Sequence, residues 1–303
     1  MHMATARRMC TRCVRPQTVC VCPALPSGGK ITLTTKVIVI SHPCEKKKQT
    51  IGTVPLIDLC LTNFELVPLP ADPADRNNHV KGSLASFPSI QRALTDKSTV
   101  LLFPGPSSVP IEEVLPGALG DEQRAVLVVD GTWRQAQKIM REDCIQQAIE
   151  TKAVTVARLT TAQSSAYQFR REPRATFIST LEAVANALRV LEGNHAGDQA
   201  AAALEDAFRF MVDATVSRKQ LKVLQTAARL SGQELESSLW AFARLQLVPA
   251  ADVRTALLMR AKDIRDSLTT GQFVNVLWCL ARLGLAPPAW MCVKLCGWVV
   301  DQK

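Results

Sequence analysis

Five apolar runs of strand length constrain the fold of this chain more than any other feature of its sequence. The runs are rich in Val, Ile and Leu, are nearly continuous, and occupy residues 37–40, 64–67, 100–103, 125–129 and 153–156. Continuous apolar runs are typical of strands that are buried on both faces of a parallel sheet. Segments with helical periodicity lie between the runs, notably residues 134–149 and 179–192. This alternation predicts an α/β domain with a mostly parallel sheet over residues 30–195.

The character of the chain changes after residues 193–197, which are Gly-Asn-His-Ala-Gly. From about residue 200 onward the periodicity is helical, and no strand-like run occurs. The eleven residues 239–249 recur 38 positions later as residues 277–287, with seven identities. A repeat of this length is typical of stacked helical hairpins, so residues 200–303 are predicted to form an all-α helical-repeat region. A plain helical bundle that packs on the preceding domain is the alternative.

Charge and cysteine placement indicate the kind of partner and the compartment. The formal net charge is +9 and the isoelectric point is near 9.2, which favours a polyanionic partner or an acidic surface. The residues before Cys10 contain no apolar signal-peptide core, so we expect a reducing, intracellular compartment. The cytoplasm or nucleus is favoured, and an organelle is left open. Charged residues and prolines interrupt the apolar stretch 276–300, so no membrane span is predicted.

Four of the ten cysteines lie close together near the beginning of the sequence. They are Cys10, Cys13, Cys20 and Cys22, and they fall within a segment that is rich in turn-forming residues. Four thiolates at such spacing can surround a zinc ion in a closed, structural site. Residues 1–29 are therefore predicted to form a cysteine-rich zinc knot, and four reduced thiols in an unstructured tail are the alternative.

The most apolar run ends in Asp130-Gly131-Thr132-Trp133, directly before a helical segment. An aspartate at the carboxyl end of a strand can face a ligand there, and Gly131 lets the backbone turn sharply. Thr132 can cap the following helix, and Trp133 offers a flat face and an N–H donor. An ordinary Asp-Gly turn with a helix cap explains the same residues equally well.

Two further segments supply polar groups that could bind a ligand. His42 and Glu45 follow the first apolar run and precede three lysines. Residues 152–174 are rich in arginine, including Arg170 and Arg171, and such a patch beside a helix N-terminus suits phosphate or carboxylate groups. Ser179 or Thr180 is predicted to be the N-cap of the helix beyond it, and Glu182 lies at capping-box distance from Ser179. Solvent-exposed loops are the alternative for both segments.

Six motifs occur in a fixed order over about residues 10–193: CTRC…CVCPALP, SHPCE, LLFP, DGTW, YQFRREP and STLEAVA. In order and kind they resemble the DTW-domain family of tRNA-uridine aminocarboxypropyltransferases. The resemblance implies a SPOUT-like, knotted α/β domain. It also implies that S-adenosylmethionine donates its 3-amino-3-carboxypropyl group to N3 of a uridine in tRNA, with release of methylthioadenosine. The tail resembles octatricopeptide-type repeats, which are associated with organellar RNA binding.

This resemblance implies roles for the residues that carry the motifs. Asp130 is expected to act either as the base for the N3 proton or as the group that orients the uracil edge, with Thr132 beside it. Trp133 is expected to stack on the target base. Contacts to S-adenosylmethionine or substrate are expected from His42, Glu45, Gly131, Arg170, Arg171, Ser179, Thr180 and Glu182.

Two other functions remain open at this stage. The first is a non-catalytic RNA-binding adaptor built from a zinc knot, a basic α/β domain and helical repeats. The second is a SPOUT-like RNA methyltransferase.

Overall fold

A computed structural model describes residues 8–48, 52–70, 84–114, 124–160 and 178–301 of the chain. The described residues fall into two compact units, of which the first ends at Met211 and the second begins at Val212. The helices are α1 Val54–Cys60, α2 Pro88–Thr95, α3 Trp133–Met140, α4 Asp143–Glu150, α5 Thr180–Glu192, α6 His195–Thr226, α7 Gly232–Leu245, α8 Ala251–Asp263, α9 Thr270–Arg282 and α10 Ala289–Asp301.

The first unit is built on a six-stranded sheet whose described strands are all parallel. The strands are β1 Lys36–Ser41, β2 Phe64–Pro68, β3 Thr99–Leu102, β4 Val109–Pro110, β5 Ala125–Asp130 and β6 Thr155–Arg158. Their order across the sheet is β2-β1-β5-β3-β6-β4. The prediction of an α/β domain with a mostly parallel sheet is therefore confirmed.

Both faces of the central strands are covered, as the continuous apolar runs predicted. Ile38 and Ile40 of β1 point to one face, where they share a buried cluster with residues of α2, α3 and α4. Val37 and Val39 alternate to the other face and have no exposed surface. Helix α5 packs against β5 and α1.

The segment of helical periodicity over residues 134–149 is helical, but it forms two helices rather than one. The break falls at Arg141 and Glu142, between α3 and α4. Ile139 and Ile145 both pack into the cluster beneath the sheet. In one continuous helix these residues would point about 120° apart, because six residues turn the chain by about 600°. The break turns both apolar faces onto the same core.

Glu192, the last residue of α5, fixes that helix to the segment that enters β1. Its carboxylate accepts hydrogen bonds from the Thr35 backbone N–H at 2.6 Å and from Thr34 Oγ1 at 2.9 Å. Burial raises the pKa of Glu192, but these hydrogen bonds outweigh burial and lower the pKa below its ordinary value. The ionised carboxylate therefore stabilises the folded state.

Helices α5 and α6 approach closely where the chain turns between them. A Cβ atom placed on Gly197 would lie 2.7 Å from the Leu188 carbonyl oxygen and 2.7 Å from the Glu192 Cβ. Farther along the pair, Arg189 binds Glu205 through two hydrogen bonds of 2.6 and 2.8 Å. Glycine is needed at position 197 because no side chain fits.

The second unit is helical throughout its described residues, with a core of its own from α7, α8, α9 and α10. The two copies of the repeated sequence begin in α7 and α9, which pack against each other. Both helices begin with a capping box, formed by Ser231 with Glu234 and by Thr269 with Gln272. The spacing of these boxes equals the spacing of the sequence repeat. Membership of an octatricopeptide-type family stays a prediction. Every helix in the part of the chain that the structure describes is too short or too polar to span a lipid bilayer.

Candidate active site

At the carboxyl ends of β1 and β5, the chain connections leave in opposite directions across the sheet. The two strands are neighbours, and the chain runs from β1 to β2 on one side but from β5 towards β6 on the other. In open parallel sheets the crevice at such a switch point is where ligands bind. Ser41 and Asp130 end the two strands and pair across them. The strongest sequence candidate thus lies at the expected place for a site.

Three elements hold Asp130, the last residue of β5. Thr180 Oγ1, from the first turn of α5, donates a hydrogen bond of 2.7 Å to Asp130 Oδ1. Ser41 Oγ donates one of 3.3 Å to Asp130 Oδ2. The backbone N–H of His42 donates to the Asp130 carbonyl at 3.0 Å. Because the three contacts come from separate elements, they hold the carboxylate in one orientation.

Thr132 and Gly131 shape the backbone beyond this carboxylate. Thr132 is the N-cap of α3, and its capping box with Gln135 confirms the predicted cap. Gly131 does not have the positive φ that its predicted sharp turn would suggest. A Cβ atom there would instead lie 3.3 Å from the Cβ atoms of His42 and Gln135. The glycine therefore allows a close approach of α3 to the His42 segment.

Trp133 lies flat against an aromatic ring that the sequence analysis did not include among the site residues. Its ring stacks on Phe103, with centroids 5.1 Å apart and planes 4° from parallel. Phe103 directly follows β3, so the stack extends along the same edge of the sheet as Asp130. The signal for Phe103 was its place in the LLFP motif at the end of an apolar run.

His42 and Glu45 lie on the segment that leaves β1. The His42 side chain is buried, and its Nδ1 accepts a hydrogen bond of 3.3 Å from the Cys44 backbone N–H. Glu45 is half-buried, and its backbone N–H donates to the His42 carbonyl at 2.9 Å.

The predicted capping box at the start of α5 is confirmed. Ser179 is the N-cap, and its side chain accepts from the Glu182 backbone N–H at 3.3 Å. The Glu182 carboxylate accepts from the Ser179 backbone N–H at 2.7 Å. These bonds orient the helix turn from which Thr180 reaches Asp130. Arg170 and Arg171 lie outside the described residues, so their predicted role stays a prediction.

The four clustered cysteines meet as predicted. Their sulfur atoms all lie within 4.8 Å of one another, with Cys10 and Cys22 at 3.6 Å and Cys13 and Cys20 at 3.7 Å. Such a cluster could hold a metal ion. Hydrogen bonds from the backbone N–H groups of Cys13 and Arg12 lower the pKa of the Cys10 thiol to about 6.

A buried arginine links the cysteine cluster to the rest of the first unit. The Arg15 side chain is 1% exposed, and its guanidinium donates to the Gly52 carbonyl at 3.0 Å. The cluster lies on turns rather than on the sheet edge that carries Asp130. Its four protein ligands would fill a tetrahedral site, which indicates a structural role.

The family model of the DTW domain matches residues 7–216. The chain is 33% identical to tRNA-uridine aminocarboxypropyltransferase 2 of Macaca fascicularis over 193 residues, which are 63% of this chain and 59% of that protein. It is 31% identical over 188 residues to the protein of the same name from Drosophila melanogaster, covering 61% of this chain and 67% of that protein.

A plant relative is more distant. The chain is 26% identical over 206 residues to tRNA-uridine aminocarboxypropyltransferase A of Arabidopsis thaliana, covering 61% of this chain and 73% of that protein. The matched part spans about three fifths of the length of the Macaca relative. No solved structure matches the chain. Because the family model covers well over half of its residues, the chain belongs to the DTW-domain family.

Proposed function

We propose that this protein transfers the 3-amino-3-carboxypropyl group of S-adenosylmethionine to N3 of a uridine in tRNA. The observation that carries the proposal is the carboxylate of Asp130, fixed by Ser41 and Thr180 at the switch point of the sheet. Membership of the DTW-domain family and the names of its relatives support the same reaction. A net charge of +9 suits tRNA as the partner.

The proposed reaction is a substitution at carbon. The uridine N3–H bond breaks, and N3 forms a bond to the carbon of the aminocarboxypropyl chain that is attached to sulfur. The carbon–sulfur bond breaks, and its electron pair returns to the sulfonium, which leaves as neutral methylthioadenosine. A sulfonium activates three carbons, so the site must hold the correct one in line with N3.

Asp130 is proposed to act on the uracil edge, as the base for the N3 proton or as the acceptor that orients it. Uridine N3 is a poor nucleophile until its proton is lost, so a fixed acceptor beside it raises the rate. The hydroxyl donors on Asp130 hold its carboxylate in one orientation. Ser41 and Thr180 are proposed as positioning residues for this carboxylate.

The stacked rings of Trp133 and Phe103 are proposed as the support for the target base. A base must leave its helical stack before an enzyme can reach an atom on its pairing edge. An aromatic pair at the same edge of the sheet as Asp130 offers such a base a flat surface. His42, Glu45, Gly131, Arg170, Arg171, Ser179 and Glu182 are proposed to contribute to binding of S-adenosylmethionine or substrate.

The cysteine cluster is proposed to hold one structural zinc ion. A zinc–sulfur distance of about 2.3 Å in a tetrahedron places the sulfurs about 3.8 Å apart. The Cys10–Cys22 and Cys13–Cys20 separations of 3.6 and 3.7 Å are close to that value. A SPOUT-like knotted topology and the attachment of tRNA to the helical tail stay predictions.

Substitution of Asp130 tests the proposed function. Asp130→Asn keeps the size of the side chain and one acceptor oxygen but cannot accept the N3 proton, whereas Asp130→Ala removes the polar group altogether. If Asp130 is the base, both variants should lose about 10²- to 10⁴-fold in kcat. If it orients the uracil edge, Asp130→Asn should retain more activity than Asp130→Ala. The surface variant Asp206→Asn serves as the control. Normal turnover by Asp130→Ala would contradict the assignment.

A further inference from the structure

A pocket lies at the amino ends of the central strands, on the opposite side of the sheet from the strand ends that carry Asp130. It has a volume of about 450 Å³ and opens where β1, β3 and β5 begin. Lys36, Thr99 and Ala125, the first residues of those strands, all line it. Along β5 the first and last residues are five positions apart, so the pocket lies about 17 Å from Asp130. It is therefore separate from the candidate active site.

The wall of this pocket carries more cations than carboxylates. Four cationic side chains line it, against the single carboxylate of Asp96. Asp96 accepts hydrogen bonds from the backbone N–H and the hydroxyl of Ser98, at 2.8 and 2.7 Å. These hydrogen bonds orient the carboxylate within its own turn, and cations still outnumber carboxylates in the lining. The cations are Lys36, Arg92, Lys97 and Arg124.

Two of these cations are fixed in the wall, and two are exposed. Lys36 pairs with Glu65 at 2.6 Å, and Arg124 donates to the Leu191 carbonyl at 2.7 Å. Arg92 and Lys97 are exposed and can turn towards an anion. A concave site with fixed and adaptable cations suits a group that has several oxygens and more than one negative charge.

Thr99 provides an independent indication that a polar ligand belongs here. Its side chain has no exposed surface, and Oγ1 has no hydrogen-bond partner among the described residues. An unsatisfied buried hydroxyl destabilises a fold, and such groups are rare in native proteins. A ligand oxygen in the pocket would supply the missing partner.

We propose that this pocket binds a phosphate group. The phosphate could belong to a free phosphate ester or to the backbone of a bound tRNA, because both present the same oxyanion. Only the tRNA source rests on the proposed function. Binding here would act at a distance from the reacting uridine, as a regulatory site for a small ligand or as a second anchor for tRNA.

Thr99→Val and Lys97→Gln test the proposal with little change in shape. Arg209→Gln is the matched control, because it removes one exposed cation of the first unit that does not line the pocket. Inorganic phosphate is titrated into the full-length protein by calorimetry at constant ionic strength, and tRNA binding is measured on the same variants. Without phosphate, Thr99→Val should be at least as stable as the wild type, because it removes an unpaired hydroxyl.

We expect phosphate affinity to fall about tenfold in Thr99→Val and several-fold in Lys97→Gln, and to stay unchanged in Arg209→Gln. This result would support the proposal with a free ester as the source. A matching loss of tRNA affinity would support it with the RNA backbone as the source. Equal effects in all three variants, or no effect on either ligand, would overturn it. Because neither titration requires turnover, failure of the transferase assay leaves this test intact.

Discussion

Replacing Thr180 by valine should slow catalysis without unfolding the protein. The change keeps the branched shape of the side chain but deletes the hydroxyl that donates 2.7 Å to Asp130 Oδ1. A hydrogen bond to a charged group contributes about 1.5–3 kcal/mol. If the bond holds Asp130 in place in the transition state, its loss lowers kcat by about tenfold to about 150-fold. KM should change little, because Thr180 would act through Asp130.

The Ser41 hydrogen bond to the same carboxylate provides an internal comparison for the predicted loss in kcat. That hydrogen bond is longer, at 3.3 Å, so Ser41→Ala should cost only about fivefold in kcat. Thr151→Val is the control, because it deletes a hydroxyl with an equally short bond, 2.7 Å to the Gln147 carbonyl, at the end of α4. Rates are measured with tRNA and S-adenosylmethionine. Wild-type turnover by Thr180→Val, or a larger loss in Ser41→Ala, would refute the positioning argument.

Three further predictions concern the cysteine cluster and the stability of the fold. Cys13→Ser should lose the roughly one zinc per chain that elemental analysis is expected to find, whereas Cys292→Ser should keep it; equal metal in both variants would contradict the zinc site. Glu192→Gln should lower the free energy of unfolding by no more than about 1 kcal/mol at pH 7. Because the folded-state pKa of Glu192 is lowered, this difference in unfolding free energy should be present above the unfolded pKa of about 4.3 and vanish as the pH falls further. Denaturant titrations of both proteins at pH 7 and pH 3 check this. A difference that stays constant between the two pH values would be evidence against it. Gly197→Ala should destabilise by about 1–3 kcal/mol, because its Cβ would overlap a neighbouring helix, whereas Gly271→Ala, with open space around it, should be neutral or stabilising; thermal unfolding decides between these outcomes.

Much of the fold follows from the apolar pattern because a parallel sheet buries both faces of its strands. All five predicted runs overlap observed strands. Strand β4 escaped prediction because a two-residue strand that contains Pro110 has no periodicity to detect. The division between α3 and α4 also escaped it, since no glycine or proline marks the break at Arg141 and Glu142. The break turns the apolar faces of α3 and α4 towards the same core, and the position of that core is defined only once the sheet has assembled.

The candidate site was predictable where a residue ends a strand or begins a helix. Asp130, Thr132 and the capping box at Ser179 follow from such local signals. The contact between Thr180 and Asp130 joins residues 50 positions apart in the sequence, and no local sequence pattern predicts a contact over such a separation. The stack of Trp133 on Phe103 likewise depends on the order of strands in the sheet.

The most direct test of the proposed function follows the two ends of the donor. tRNA is incubated with the protein and with S-adenosylmethionine labelled either in the carboxyl carbon or in the methyl group, and the nucleosides are then separated and analysed by mass. The proposed transfer should place the carboxyl label in a modified uridine and release the methyl label in methylthioadenosine. Methyl label in the tRNA, or no label from either donor, would contradict it.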